Sequence, residues 1–294
     1  MSTEITTAFV KEFTDGITLL QQQMGSNLRR GVSVKSSVVG DRAFFDQVDA
    51  TSMTQITTRH GDTTLTDTPH RRRMVTLAPF EVADLVDRAD LIRTLNDPTN
   101  SYVKSFAAAA GRTLDDLVIS AFNATAATGV DGSGSAAFDS DFVVAEGGLI
   151  MTLAKLQETR DILESQDNLE DDGENEWFIV MGAKQRMDLL SDDTVTSSDF
   201  NTVKALVNGQ IDQFMGFTFL KSQRLVLQGN GTTRECYAWV KSSMKLAIGQ
   251  EPRGFIDVLP GKRHSTQVRY ELDAGATRMD EKGVVQILVD EDPA

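Results

Sequence analysis

The sequence predicts an α+β fold, on three features. One long run of helical spacing lies between Pro98 and Ala126. Short segments rich in β-branched and aromatic residues crowd the last third of the chain. A threonine-rich polar stretch separates two strand-like segments near the N-terminal end. The chain has 294 residues, 40% of them hydrophobic, so it can bury a core as one large domain or two modest ones. No apolar run approaches the ~20 residues needed to cross a bilayer. The opening MSTEITTAFVKEF carries acids early, unlike a signal peptide. The single cysteine, Cys236, excludes a disulfide framework or a cysteine-rich zinc ribbon; in the alternating run ECYAWV it reads as a buried thiol. A soluble protein of a reducing compartment is expected. A formal net charge of -14 and a pI near 4.7 argue against general nucleic-acid binding, which needs clustered Lys and Arg on one surface.

In order along the chain, residues 3–23 read as an amphipathic helix, with Ile5, Phe9, Phe13 and Ile17 in one apolar stripe ended by MGSN. Such a stripe must lie on the rest of the subunit or on a neighbour. VSVKSSVVG and RAFFDQVDA are strand-like. ATSMTQITTRHGDTTLTDT favours extended backbone yet has almost nothing to bury, which suits a two-stranded arm turning near Leu65. MVTLAPFEVADLVDRADLIRTL goes from strand to helical spacing. In the long helix that follows, Asn96 or Asp97 can cap and Pro98 suits the first turn. Val103, Phe106, Ala110, Leu114, Leu117 and Ala121 make the stripe, Gly111 offers a bend, and Ala107–Ala110 permit close approach of another backbone. TGVDGSGSAAFDSD is a loop; the next helix sets Leu149, Leu153, Leu156 and Leu163 on one face. WFIVMG then reads as a buried strand and AKQRMDLL as a helix. FTFLKS, CYAWVK, KLAIG, FIDVLP, TQVRYELDAGA and VVQILVDE are short elements. There is no internal repeat.

The unusual segment is TRHGDTTLTDTPHRRRM, residues 58–74, which gathers two of the three histidines and four arginines of an acidic chain. With a turn at Leu65, His60 and His70 would face each other, and Asp62 and Asp67 could add oxygen ligands. Zinc asks for three or four convergent ligands and a supporting shell, so no metal site is assigned. No G-x-S-x-G, H-E-x-x-H or G-x-x-x-x-G-K-[ST] occurs, DGSGSAA lacks the lysine of a phosphate loop, and His264 in GKRHST has no obvious partner. No catalytic residue and no cofactor is assigned, and an enzyme is not expected. An EF-hand register on Gly173 puts Ile179 where the last carboxylate belongs, which removes calcium. In the same hairpin register Arg59 would oppose Arg71, a repulsive pair that asks for acid nearby. The best account of Arg59, His60, His70, Arg71, Arg72 and Arg73 is a contact with another subunit's acidic surface.

The order of these elements resembles the major capsid protein of tailed double-stranded DNA bacteriophages, the Hong Kong 97-type fold. The polar hairpin matches that family's extended E-loop, and TNSYVKSFAAAAGRTLDDLVISAF resembles its spine helix, including an R-x-L-D step. EWFIVMGAKQRMDLL resembles its strand and short helix, and VNGQIDQFMGFTFLKSQRL a segment of its axial domain. The stretch from AWVKSSMKLAIG to the final G-V-V-x-I resembles the closing strands. The resemblance covers roughly residues 40 to 290. It implies an N-terminal arm at 1–40, an E-loop at 41–80 and a peripheral domain at 81–176 with its spine helix at about 97–126. An axial domain at 177–261 and a return to the peripheral domain at 262–294 complete it. The implied protein is structural, a homo-oligomer assembling as hexamers and pentamers into an icosahedral virion shell. It encloses DNA without sequence-specific binding, contacts no membrane and is built in the host bacterial cytoplasm. The short arm points to a separate scaffolding protein, with a portal as a further partner, and no cross-linking lysine–asparagine pair is assigned. Ile5, Phe9, Phe13 and Ile17 join the cationic segment as expected contact residues. The alternatives are an encapsulin-type nanocompartment shell and, from another class, a metal-dependent hydrolase using His60 and His70.

Overall fold

The computed structural model describes residues 22–59, 61–87, 99–166, 175–191 and 213–292. In chain order the elements are β1 (Ser33–Lys35), β2 (Arg42–Val48), β3 (His70–Thr76), β4 (Ala78–Val86), α1 (Thr99–Asn123), β5 (Ala126–Thr128), β6 (Gly134–Ala136), β7 (Val143–Val144), α2 (Leu153–Glu164), β8 (Trp177–Met181), α3 (Ala183–Ser191), β9 (Gln213–Phe214), β10 (Phe217–Lys221), β11 (Thr233–Val240), β12 (Met244–Leu259), β13 (Ser265–Arg278) and β14 (Val284–Asp290). The described residues fall in two compact units. One joins Pro79–Arg112 to Pro252–Leu272 and the residues before Ser26; the other joins Ser26–Ala78, Thr113–Glu251 and the chain from Asp273.

The larger unit is organised by a six-stranded sheet of order β7-β14-β11-β8-β10-β9. β8, WFIVM, is buried at every position, as a strand covered on both faces must be. Its parallel neighbour β10 and antiparallel neighbour β11 are nearly as apolar. The C-terminal half of α1 lies on this sheet. Leu114, Val118, Ala121 and Phe122 are buried, and the Phe122 ring sits 4.7 Å from Tyr237 and 4.6 Å from Trp239. Trp239 also donates its indole N–H to the Gly31 carbonyl at 2.6 Å. A Cβ on Gly31 would stand 3.0 Å from Leu220 and from Trp239, so only glycine lets that backbone lie so close. Cys236 is fully buried, and desolvation pushes its thiol up to about 12. It is a packing residue with no thiolate at neutral pH.

Two buried cations tie loops to this unit. The Lys155 ammonium donates to three backbone carbonyls, those of Glu146 (2.7 Å), Leu149 (3.0 Å) and Leu288 (2.7 Å). Arg278, 1% exposed, donates to the carbonyls of Phe122 (2.7 Å) and Ala124 (3.0 Å) at the end of α1, and to Ala136 on β6 (3.3 Å). A cation at the negative end of the helix dipole satisfies carbonyls that lack a helical partner. That explains why α1 stops at Asn123 rather than at Ala126, which instead opens β5.

The same unit holds the mixed-length sheet β2-β3-β5-β6. Along β2 and β3, Ala43, Phe45, Arg73 and Val75 turn inward, and Ala43, Phe45 and Val75 pack with Leu77 and Ala247. β1 runs parallel to β12 at Lys245–Ala247.

In the smaller unit the far half of β12 pairs with β13, and β4 lies on the other side of β13. KLAIG and FIDVLP, read as two elements, form one 16-residue strand. Among the described residues β1 covers β12 only as far as Ala247, so Pro252 falls on an edge, where a missing N–H is tolerated. The helix expected over 3–23, with Ile5, Phe9, Phe13 and Ile17, lies outside the described residues save for Gln22 and Gln23, which are not helical. The caps Asn96 and Asp97 and Pro98 are outside them as well. No described helix is long and apolar enough to cross a membrane.

Candidate functional site

The R-x-L-D step at Arg112–Asp115 marks where the chain before α1 is fastened. Asp115, 0% exposed, accepts from the Ser26 hydroxyl (2.5 Å) and from the backbone N–H groups of Asn27 and Leu28 (both 3.1 Å). One turn earlier, in the smaller unit, Gly111 presses on Gly25: a Cβ there would sit 2.4 Å from the Gly25 carbonyl carbon. The close approach foreseen along Ala107–Ala110 is made at Gly111, which stays within an unbroken helix.

The cationic segment stands at the root of a long loop. β2 and β3 pair antiparallel with Asp46 opposite Arg72, Gln47 opposite Arg71 and Val48 opposite His70. The ladder closes with the Asp49 N–H donating to the Pro69 carbonyl at 3.0 Å. This corrects the hairpin register read from sequence. Strand 70–76 pairs with 42–48, not with residues around 59, so a turn at Leu65 does not exist and Arg59 does not oppose Arg71. The physical reason is burial: Ala43 and Phe45 anchor the pairing on the core, and it stops a few residues on, where the threonine-rich stretch has no core to cover. Among described residues, 49–69 hold no strand, and all but the half-buried Asp49 are exposed. Met53, Ile56 and Leu65 are at least 90% exposed.

The acid that the arginines require lies in their own subunit. Arg71 pairs with Asp49 at 2.6 Å and Arg72 with Asp46 at 2.5 Å, both across the strand pair. The Arg72 hydrogen bond holds the Asp46 carboxyl below the usual carboxylate range. Both pairs are solvent-exposed, and the Arg71 pair contributes about 0–1 kcal/mol. Arg73 differs: 4% exposed, it donates to the Met279 carbonyl at 3.0 Å and to Glu281. Arg73 holds the fold together, while His70, Arg71 and Arg72 face outward. Together they line a groove of about 640 Å³ with Val130, Ala137 and Asp139. Arg59 is exposed in the loop, and His60 lies outside the described residues.

Sequence reasoning missed Asp115, Lys155, Glu281 and Arg278. The R-x-L-D step was the one available signal for Asp115. Nothing local marks a lone charged residue in a strand or helix as a buried clamp, because at least one of its partners comes from a distant segment, as Leu288 does for Lys155 and Phe122 for Arg278. Among the described residues no cluster of three or more His, Cys, Asp or Glu side chains could hold a metal ion.

A family model described as phage capsid protein matches residues 5–291. The fold is similar to that of the cyanophage Pam1 capsid asymmetric unit, with a TM-score of 0.73 and 15% identity over 97% of each chain. It is similar to the capsid of cyanophage P-SCSP1u, with a TM-score of 0.72 and 13% identity over 99% of this chain and 96% of that one. The capsid of Ralstonia phage GP4 gives 0.71 and 14% over 97% and 96%. Among curated proteins no match was found.

Proposed function

The chain belongs to the phage capsid protein family, and from that premise we propose that it assembles as hexamers and pentamers into an icosahedral head enclosing double-stranded DNA. It is a structural major capsid protein of the Hong Kong 97-type fold, not an enzyme, and the hydrolase reading of His60 and His70 is set aside on that ground. Its place is the virion capsid; assembly in the host cytoplasm, on a separate scaffolding protein and around a portal, belongs to the proposal. A net charge of -14 supports enclosure of DNA without tight binding to it.

The observation that carries the reading is the loop at 49–69. It extends from a well-registered strand pair, buries no apolar side chain among the described residues, and holds Met53, Ile56 and Leu65 in water. A segment of that kind gains its contacts only when subunits associate. We assign the contact to this loop, with Arg59 and His60 in its sequence, and to its root at His70, Arg71 and Arg72, with the stripe Ile5, Phe9, Phe13 and Ile17 as a second contact.

The test is a triple variant, Met53→Ser, Ile56→Ser and Leu65→Ser, examined by sedimentation with scaffolding protein present. The folded subunit should keep its melting temperature and form few or no shells. Shells at wild-type yield would remove the loop from the interface.

A further inference from the structure

The β12–β13 hairpin ends in a cationic tip whose backbone is under strain. After Leu259 the chain makes a 3-10 turn over Pro260–Lys262, then places Arg263 and His264 both in the left-handed region, at φ 53° and 59°. For a residue with a Cβ this region is sterically unfavourable. Two bonds hold the shape: the His264 N–H donates to the Leu259 carbonyl at 3.1 Å, and the buried Ser265 hydroxyl donates to the Lys262 carbonyl at 2.6 Å. Lys262, Arg263 and His264 are thereby set side by side in solvent, and none of them is in an ion pair among the described residues. The stalk is cationic too. The guanidinium groups of Arg253 and Arg269 lie 5.1 and 5.2 Å from the centre of the Phe255 ring. Residues 252–272 carry four Lys and Arg against two Asp and Glu, in a chain with 29 of the former and 43 of the latter.

We propose that this tip is an electrostatic peg that docks on a carboxylate-rich surface of a second copy of the chain. The proposal rests on the shell reading. Copies with a net charge of -14 repel one another, so a protruding cationic element held in one shape is the part drawn first to a neighbour's acid. The strained αL pair fixes the direction of three adjacent side chains before contact, which lowers the ordering cost of docking. Duplex DNA is the other anion such a tip could meet. The acidic surroundings of the remaining chain favour protein.

The test is the charge reversal Lys262→Glu with Arg263→Glu, alongside the neutral pair Lys262→Gln with Arg263→Gln. Melting temperature, shell yield and nuclease protection of packaged DNA are read for each. The expected result is folded subunits with shell yield down about tenfold or more for the reversal and less for the neutral pair. Wild-type shell yield from a folded reversal variant would overturn the peg. Normal shells that fail only to protect DNA would overturn it in favour of a nucleic-acid contact. If the reversal does not fold, the neutral pair decides: wild-type yield from it overturns the proposal. Absence of shells from the wild-type chain itself would remove the shell reading and the peg together.

Discussion

Replacing Asp115 by alanine tests whether the R-x-L-D step is a fastening rather than a helix detail. The carboxylate is fully buried and receives one hydroxyl and two backbone N–H groups. In Asp115→Ala the Leu28 N–H, in a residue 0% exposed, loses this acceptor, and the Asn27 N–H, in an exposed residue, must turn to water. An orphaned buried donor costs about 1–3 kcal/mol, and hydrogen bonds to a charged acceptor run to about 1.5–3 kcal/mol. The Ser26 hydroxyl can rotate to water, so the total comes to about 3–4 kcal/mol by the same reasoning. Asp115→Asn keeps one oxygen for Ser26 and Leu28 but turns an NH₂ toward the Asn27 N–H, a loss of about 1–2 kcal/mol. Urea unfolding of the unassembled subunit, followed by tryptophan fluorescence, gives both numbers. The order should be wild type, then Asn, then Ala, with the slope against urea unchanged. An alanine variant within about 0.5 kcal/mol of wild type would refute the reasoning, since surface substitutions lie in that range.

Three further outcomes follow from the same geometry. Gly111→Ala forces a Cβ against the Gly25 backbone and should cost about 1–3 kcal/mol, whereas Gly261→Ala, with nothing within 4 Å, should leave the melting temperature unchanged. The arginines should separate by role. Arg73→Ala removes the bonds from a buried guanidinium to Glu281 and the Met279 carbonyl and should lower subunit stability by about 1.5–3 kcal/mol, while Arg71→Ala with Arg72→Ala should keep the fold and reduce shell yield. The Glu291 carboxyl, hydrogen-bonded by Arg234 at 2.8 Å and Gln185 at 2.9 Å, is held below its ordinary value, chiefly by the Arg234 bond. A depressed carboxylate contributes stability above its unfolded pKa of about 4.3 and loses it as pH falls through the folded value. The stability gap between wild type and Glu291→Gln should therefore be full at neutral pH and close below about pH 4. A gap that persists in acid would show that the charge is not its source.

Much of the fold was legible because it depends on burial patterns a few residues long. WFIVM announced a buried strand, and the stripe through Leu114 and Ala121 announced a helix. Leu117 in that stripe is only half-buried, and it is Val118 and Phe122 beside it that are buried, with the Phe122 ring on Tyr237 and Trp239. The loop at 49–69 was legible as a segment with nothing to bury. Its register was not, because threonine alternation gives no face to count from, and the partner strand was set by Phe45 and Val75. Nor was the division of labour among the arginines. Arg71, Arg72 and Arg73 are adjacent in sequence, yet Arg73 alone is buried: Arg72 points to the opposite face, and Arg71, on the same face as Arg73, lies nearer the open end of the ladder beside Asp49, while Met279 and Glu281 reach Arg73 from about two hundred residues away. The strained tip at Arg263 and His264 was read only as a polar turn; positive φ in two non-glycine residues leaves no trace in composition.

The central claim is that this chain builds closed shells through segments that bury nothing within one subunit. Electron microscopy of the purified protein, expressed with its scaffolding partner, tests it most directly. The account predicts closed particles with five-fold and six-fold clusters of subunits. Folded subunits that remain monomers or small discrete oligomers under those conditions would contradict it.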